Sequence, residues 1–239
     1  MLRIGTVIQA RLGSSRLPGK VLMPLASGTV LETVVERVRH LPVDATVVIA
    51  MSSEATDDAL ARFSTEKGYA IFRGSETDVL GRYAQAAESF GFDLVFRVCA
   101  DAPLTDPDGM LALFQAWQAA PGARYVHNRH RLGWPIGAAT DLIERTALIE
   151  AAEAAEDPFD REHVVPFLQR HHDRFGMRSI AGREDWAARS YYMAIDYPSD
   201  LVWFQALYEG TGSDLAGPSL AEVYNWIDCT RREPRRHEW

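Results

Sequence analysis

The 239-residue chain can hold one large domain with an ample core, or at most two small ones. With 47% hydrophobic and 24% charged residues it has a globular composition, and no apolar run approaches the length of a membrane span. A net charge of −8 argues against a general nucleic-acid binder, which needs clustered surplus cations, but leaves room for a nucleotide held by a few local ones.

The amino terminus runs straight into a strand with no signal peptide ahead of it, so a cytoplasmic protein is expected. Ile4 to Ile8 is a short apolar, β-branched run, the pattern of a buried strand. It stops at Gln9 and Ala10 in a loop, Arg11 to Lys20, that carries two glycines, two serines, one proline and three cations. Gly13 and Gly19 can take backbone angles that let N–H groups converge on an anion. Arg11 and Arg16 offer planar donor forks and Lys20 a compact point charge, a set suited to a polyphosphate. A strand emptying into such a loop at the edge of an α/β sheet is where nucleotides bind. The loop is not a Walker A sequence, because five residues separate Gly13 from Gly19 and Val21 stands where Ser or Thr would hold magnesium. Nor is it a dinucleotide fingerprint. The other reading is a solvated basic loop.

Val30 to Arg39 follows with apolar residues at helical spacing, and Ala45 to Ala50 reads as a doubly buried parallel strand. Thr56 to Glu66 is expected as a helix capped by Thr56, with Asp57 and Asp58 in its first turn. Tyr69 to Phe72 is the next strand, and Glu76 to Phe90 a helix in which Asp78 and Arg82 can form a surface pair one turn apart. Leu94 to Val98 is a fourth buried strand, and Asp101 just beyond it points toward the crevice where a triphosphate would lie. Asp106 and Pro107 read as N-cap and first residue of a helix. This rhythm predicts an α/β fold: a Rossmann-like, mostly parallel (mixed) sheet with helices on both faces.

The second half is less regular. A helix over Gly109 to Ala119 and a strand over Arg124 to His127 lead into a stretch read as a lid or arm, placed within residues 124–190. His127 and His130 have no second ligand pair to make a zinc site, and Cys99 and Cys229 form no paired motif. Asp160 to Phe167 allows a helix carrying Arg161 and His163, lining a site or a dimer contact. Met177 to Ala181 and Tyr191 to Ile195 read as strands, the latter followed by Asp196. Asp200 suits the first turn of the next helix, Leu220 to Asp228 forms a last helix, and Arg231 to Trp239 reads as a frayed polar tail. With no repeat and no linker, a single domain over 1–239 with an embedded arm is the economical organisation.

Gln9-Ala10-Arg11-Leu12-Gly13-Ser14-Ser15-Arg16-Leu17-Pro18-Gly19-Lys20-Val21-Leu22 resembles the signature loop of the nucleotidyltransferases that make CMP-activated acidic sugars. The branch it resembles is the SpsF-like cytidylyltransferases of spore-coat polysaccharide type, relatives of the CMP-sialate and CMP-3-deoxy-manno-octulosonate synthetases. Phe72 to Tyr83 is similar to the family's second motif, which lies near the base and the sugar cleft. Ala100-Asp101-Ala102-Pro103-Leu104 matches the family's Gly-Asp-x-Pro-Leu with alanine for glycine. Arg161-Glu162-His163-Val164-Val165-Pro166 resembles Arg-Glu-His-Val-x-Pro, and Ile195-Asp196-Tyr197-Pro198-Ser199-Asp200-Leu201 is close to Val-Asp-Thr-Pro-Glu-Asp-Leu. Where relatives read Pro-x-Gly-Leu-Asp-Val-Glu, residues 135–141 keep an acid at Asp141 but carry Ala139 in place of the other.

The resemblance implies attack by an acceptor hydroxyl on the α-phosphorus of CTP with release of pyrophosphate, a displacement that needs charge neutralisation and alignment above all. Arg11, Arg16 and Lys20 would act on the triphosphate. Gln9, Ala10, Gly13, Ser14, Arg73, Asp78, Arg82 and Arg97 would contact the nucleotide, and Asp141, Arg161 and His163 the acceptor. Asp101 and Asp196 would hold Mg²⁺ through hard oxygen ligands. A homodimer, with no nucleic-acid or membrane partner, is part of the same expectation. A sugar-1-phosphate or phosphonate nucleotidyltransferase, or an inactive nucleotide-binding homologue, are the alternatives.

Overall fold

The computed structural model describes residues 1–129, 133–189 and 191–236. Among these the strands are β1 (Ile4–Gln9), the short hairpin β2 (Pro24–Leu25) and β3 (Gly28–Thr29), β4 (Ala45–Ser52), β5 (Ala70–Gly74), β6 (Leu94–Cys99), β7 (Tyr125–His127), β8 (Asp141–Glu144) and β9 (Arg178–Ser179). The helices are α1 (Val30–Arg39), α2 (Asp58–Glu66), α3 (Val79–Phe90), α4 (Pro107–Ala119), α5 (Arg145–Ala154), α6 (Pro158–His163), α7 (Pro166–Arg170), α8 (Glu184–Ala187), α9 (Pro198–Thr211) and α10 (Leu220–Thr230).

The main sheet has the order β5-β4-β1-β6-β8-β7-β9. The apolar runs of the first half pair in parallel, and β8 alone runs against both of its neighbours. The expected mostly parallel mixed α/β sheet is therefore the observed one. Alternation along each strand feeds two cores, as period-two side chains must. Val7, Val48 and Val95 face α3 and α5, whereas Ile8, Ile49 and Phe96 face α1 and α4. Gly5 lets the Phe92 ring lie on β1, where an added Cβ would come within 2.3 Å of it. A third cluster of Leu17, Leu25, Leu104, Met193, Ile195, α9 and α10 sits beyond the strand ends and supports the loop after β1 from below.

The strand expected over Tyr191 to Ile195 is instead an extended segment with isolated bridges, Ile136 to Tyr192 and Tyr191 to Arg236. Its backbone partners are split between the 136 turn and the tail, with Met193 N–H donating to Ile136 and Tyr192 N–H to Arg235. Likewise α3 begins at Val79, three residues later than expected, because Asp78 caps it by accepting from Gly81 N–H at 2.9 Å. The residues before α2 form a single tight turn, Ala55–Asp57. Asp57 is buried there and accepts from the backbone of Leu12 and Ser52 and the Ser52 hydroxyl, tying the cationic loop to β4 rather than serving the helix dipole. Asp106 and Pro107 open α4 as read, with Asp106 accepting from Gly109 N–H. No helix among the described residues is long and apolar enough to cross a membrane.

Candidate active site

The carboxyl ends of β1, β6 and β7 and the start of β8 meet at one edge of the sheet, and a cavity of about 490 Å³ opens there. Its shape begins with the loop after β1. Leu17 and Val21 are buried and pin the loop to the core, and Gly19, at φ 71°, turns the chain back through a left-handed conformation that favours glycine. Gly13 takes no such angle and does not line the cavity. Gln9, Ala10, Arg11, Ser14 and Arg16 do. Arg11 makes no hydrogen bond or ion pair to the described residues.

Lys20 is buried, and its ammonium joins its own loop to two distant segments. It donates to Asp101 Oδ2 at 2.6 Å, to Asp196 Oδ1 at 3.1 Å and to the Ile195 carbonyl at 2.6 Å. Arg16 adds a bond to Asp196 Oδ1 at 2.6 Å, and the Tyr192 hydroxyl donates to Oδ2 at 2.5 Å. Burial alone would raise the Asp196 pKa, but the Tyr192 hydrogen bond and the Lys20 and Arg16 charges outweigh it and hold the carboxyl below its ordinary value. Ile195 N–H donates to the Asp101 carbonyl at 2.8 Å, which fixes the spacing of the two acidic segments. Two carboxylates that the sequence places at separate chain crossings therefore converge on one cation.

At the far end of the cavity the register of β6, β8 and β7 aligns Arg97, Asp141 and His127 in one row. Arg129, just past β7, grips Asp141 with two bonds of 3.2 Å, while Arg97 lies 3.3 Å away and the Tyr125 hydroxyl donates at 2.8 Å. Burial would raise the Asp141 pKa, yet the two guanidiniums prevail and hold it at about 2. Asp141 thus anchors two arginines. Arg129 was missed by the sequence reading, although a cation two residues beyond a strand's end is the same signal that marked Asp101. His127 is tied to the Ser179 hydroxyl at 3.0 Å, and His130 lies outside the described residues.

Glu162 and His163 also line the cavity. The chain reverses just after them at Val164, whose φ of 71° is unfavourable for a β-branched residue. Three residues singled out from the sequence are engaged elsewhere. Arg73 ties β5 to the 52–58 turn through the Ser52 and Glu54 carbonyls and Asp58. Asp78 pairs with Arg161 at 2.6 Å instead of with Arg82, and Arg161 also bonds the Ala152 carbonyl. Arg82 is buried, bonds the Ser75 carbonyl and faces the cavity.

Arg11, Arg16, Lys20, Arg82, Arg97 and Arg129 stand in the lining against Glu76, Asp101, Asp141, Glu162 and Asp196, so the cavity is locally cationic in an acidic chain. Four buried side-chain atoms of its lining, Gln9 Oε1, Arg82 Nε, Arg97 Nε and Thr140 Oγ1, have no hydrogen-bond partner among the described residues. Buried polar atoms left unpaired are costly, so water or a polar ligand in the cavity is what would pair them.

A glycine-turned cationic loop at the carboxyl edge of a parallel sheet, faced by two carboxylates, is the arrangement in which an α/β protein takes a nucleotide. Comparison with known proteins agrees. Residues 6–201 match the family model described as Cytidylyltransferase. The chain is 32% identical over 227 residues, 92% of each protein, to the spore coat polysaccharide biosynthesis protein SpsF of Bacillus subtilis. Its fold matches that of a cytidylyltransferase from Leptospira borgpetersenii with a TM-score of 0.90 at 22% identity, covering 100% of both chains. It also matches a CMP:2-keto-3-deoxy-manno-octonic acid synthetase complexed with CTP, at a TM-score of 0.63 and 18% identity over 87% of this chain and 99% of that one. The chain belongs to the cytidylyltransferase family and is a nucleotidyltransferase.

Proposed function

We propose that the protein transfers CMP from CTP to a hydroxyl of an acidic sugar acceptor, releasing pyrophosphate, in the synthesis of a surface polysaccharide. The observation that carries this reading is the convergence of Asp101, Asp196 and Lys20 beside Arg11 and Arg16. The acceptor oxygen bonds to the α-phosphorus as the bond to the β-phosphate oxygen breaks, and the dispersed negative charge must be matched by fixed cations. Arg11 and Arg16 neutralise the triphosphate and the departing pyrophosphate. Lys20 joins them by leaving the carboxylates for the phosphates.

The donor set suits Mg²⁺. Asp101 and Asp196 supply hard oxygens, and among the described residues no cluster of three or more His, Cys, Asp or Glu could enclose a metal, so substrate phosphates would complete the shell. Bound there, the ion would supply charge neutralisation and acidify the acceptor hydroxyl.

At the far end, Arg97 and Arg129 present guanidiniums to the acceptor's carboxylate, with Asp141 and His163 around it. Paired guanidiniums would equally take a phosphate or phosphonate, which keeps the sugar-1-phosphate and phosphonate transferases as the second reading. Pyrophosphate release across the four ribonucleoside triphosphates with sugar acids, sugar phosphates and phosphonates tests both. Turnover with CTP and a sugar acid is the expected result, and a preference for another nucleotide or for a phosphate acceptor overturns it. We read the enzyme as a cytoplasmic homodimer of single-domain subunits, which sedimentation of the purified protein checks for the oligomer.

A further inference from the structure

The carboxyl-terminal segment, Arg231 to Arg236, has little apolar reason to be ordered. Of these residues only Pro234 is buried, and the segment borders a second cavity of about 510 Å³ instead of packing on a core. It is nevertheless pinned by polar contacts to the residues around Asp196. The Trp203 indole donates to the Arg232 carbonyl at 2.9 Å, the Tyr191 hydroxyl to Glu233 at 3.1 Å, and Tyr192 N–H to the Arg235 carbonyl at 2.8 Å. The Arg235 guanidinium is seated between two rings, 4.0 Å from the centre of Tyr192 and 5.0 Å from that of Tyr197. From there it reaches Asp200 at 3.3 Å and Asp196 at 3.5 Å.

Two of the groups that Arg235 touches, Tyr192 and Asp200, hold Asp196 directly. The Tyr192 hydroxyl holds the Asp196 carboxylate, and Asp200 accepts from the backbone N–H groups of both Asp196 and Tyr197 at 2.9 Å. Tyr197 is itself shared, since Arg16 of the β1 loop lies 5.4 Å from the centre of its ring. We propose that Arg235 is a positioning residue: the tail, through Arg235 stacked between Tyr192 and Tyr197, sets the orientation in which Asp196 meets the divalent cation carried by the nucleotide. The proposal rests on the reading of Asp196 as a metal-holding residue. Partners behind a ligating carboxylate orient it, and removing them typically costs about 10- to 100-fold in metal affinity.

The sign of the effect separates positioning from charge. Deleting a cation beside Asp196 would by itself tighten binding of another cation, whereas loss of orientation weakens it. Mg²⁺ is titrated calorimetrically into wild type, Arg235→Ala and Arg235→Lys, each saturated with CTP, alongside melting curves and the Mg²⁺ dependence of turnover. Arg235→Ala is expected to weaken Mg²⁺ by about tenfold or more, and to raise the Mg²⁺ needed for half-maximal turnover in parallel. Arg235→Lys keeps the charge but not the planar stack and is expected to behave like the alanine variant. Should Arg235→Ala fail to fold, Tyr192→Phe, which keeps the ring and removes the hydroxyl on Asp196, is expected to shift Mg²⁺ the same way. Unchanged or tighter Mg²⁺ binding in a folded Arg235→Ala, or full rescue by lysine, overturns the proposal, as does a lowered melting temperature with no change in the Mg²⁺ requirement. Asp196→Asn is the control. If it retains normal turnover, the metal reading and this proposal fall together; if it is inactive while Arg235→Ala is unchanged, only the tail's role falls.

Discussion

Lys20 carries the most direct test of the site, because its removal is predicted to leave two carboxylates facing each other. Lys20→Met preserves much of the side chain's bulk while deleting the ammonium and its bonds of 2.6, 2.6 and 3.1 Å. Breaking a fully buried ion pair costs about 3–5 kcal/mol. Asp196 has only 5% of its side chain exposed, but Asp101 keeps 28%, so water relieves part of the penalty and about 2–3 kcal/mol is expected. For a chain of this size that is a fall of about 5–10 °C in melting temperature, measured in chelator. Mg²⁺ should then stabilise the variant more than the wild type, since it fills an anionic site without displacing an ammonium, and ligand binding stabilises by mass action. CTP affinity by calorimetry should drop by about 10- to 100-fold, the worth of one charge-assisted phosphate contact. A melting temperature in chelator within about 1 °C of wild type, together with an unaltered Mg²⁺ response, would refute the convergence of the three residues.

Asp101→Asn and Asp196→Asn are each expected to reduce turnover severely, with the double variant little worse than either single one, because groups acting as a unit lose activity non-additively; additive losses in initial-rate assays contradict a shared site. Arg129→Ala should raise the acceptor KM by about 10- to 100-fold, from loss of one charge-assisted contact, and leave the KM for CTP near wild type; the reverse pattern would place Arg129 on the nucleotide. The Asp141 carboxyl is held at about 2 in the folded protein, below an unfolded value of about 3.9. Its stabilising contribution is therefore complete above pH of about 5 and is lost as the pH falls toward 2. Urea titrations at pH 7 and pH 3 should show wild type losing about 1 kcal/mol more than Asp141→Asn over that interval.

The fold was legible because its signals are local. A β-branched run such as Ala45 to Ala50 and the Asp106-Pro107 helix start each state their conformation within a few residues, and the structure agrees with both. The segment Tyr191 to Ile195 shows where such reasoning ends. Its apolar residues suit a strand, but its backbone groups are divided between the Ile136 turn and the tail, and no pattern within the segment records who its neighbours are. The candidate site follows the same division. Gln9 and Asp101 could be placed at the crevice because they lie at the exits of β1 and β6 and the exit of a strand fixes direction, whereas Asp141, which opens β8, was marked only by the family motif. Arg73 near the end of β5, Asp78 at the cap of α3 and Arg161 on α6 are each taken by a partner distant in sequence, which no local pattern records. The tail was unreadable for the strongest form of this reason. Arg235 is a polar residue in an exposed, charged stretch, the composition of a frayed end, and what orders it is a slot between Tyr192 and Tyr197 that exists only once the chain around Asp196 has folded. A terminal segment held by the groups that orient a site's carboxylate, and not by a core, ties its order to the geometry of that site.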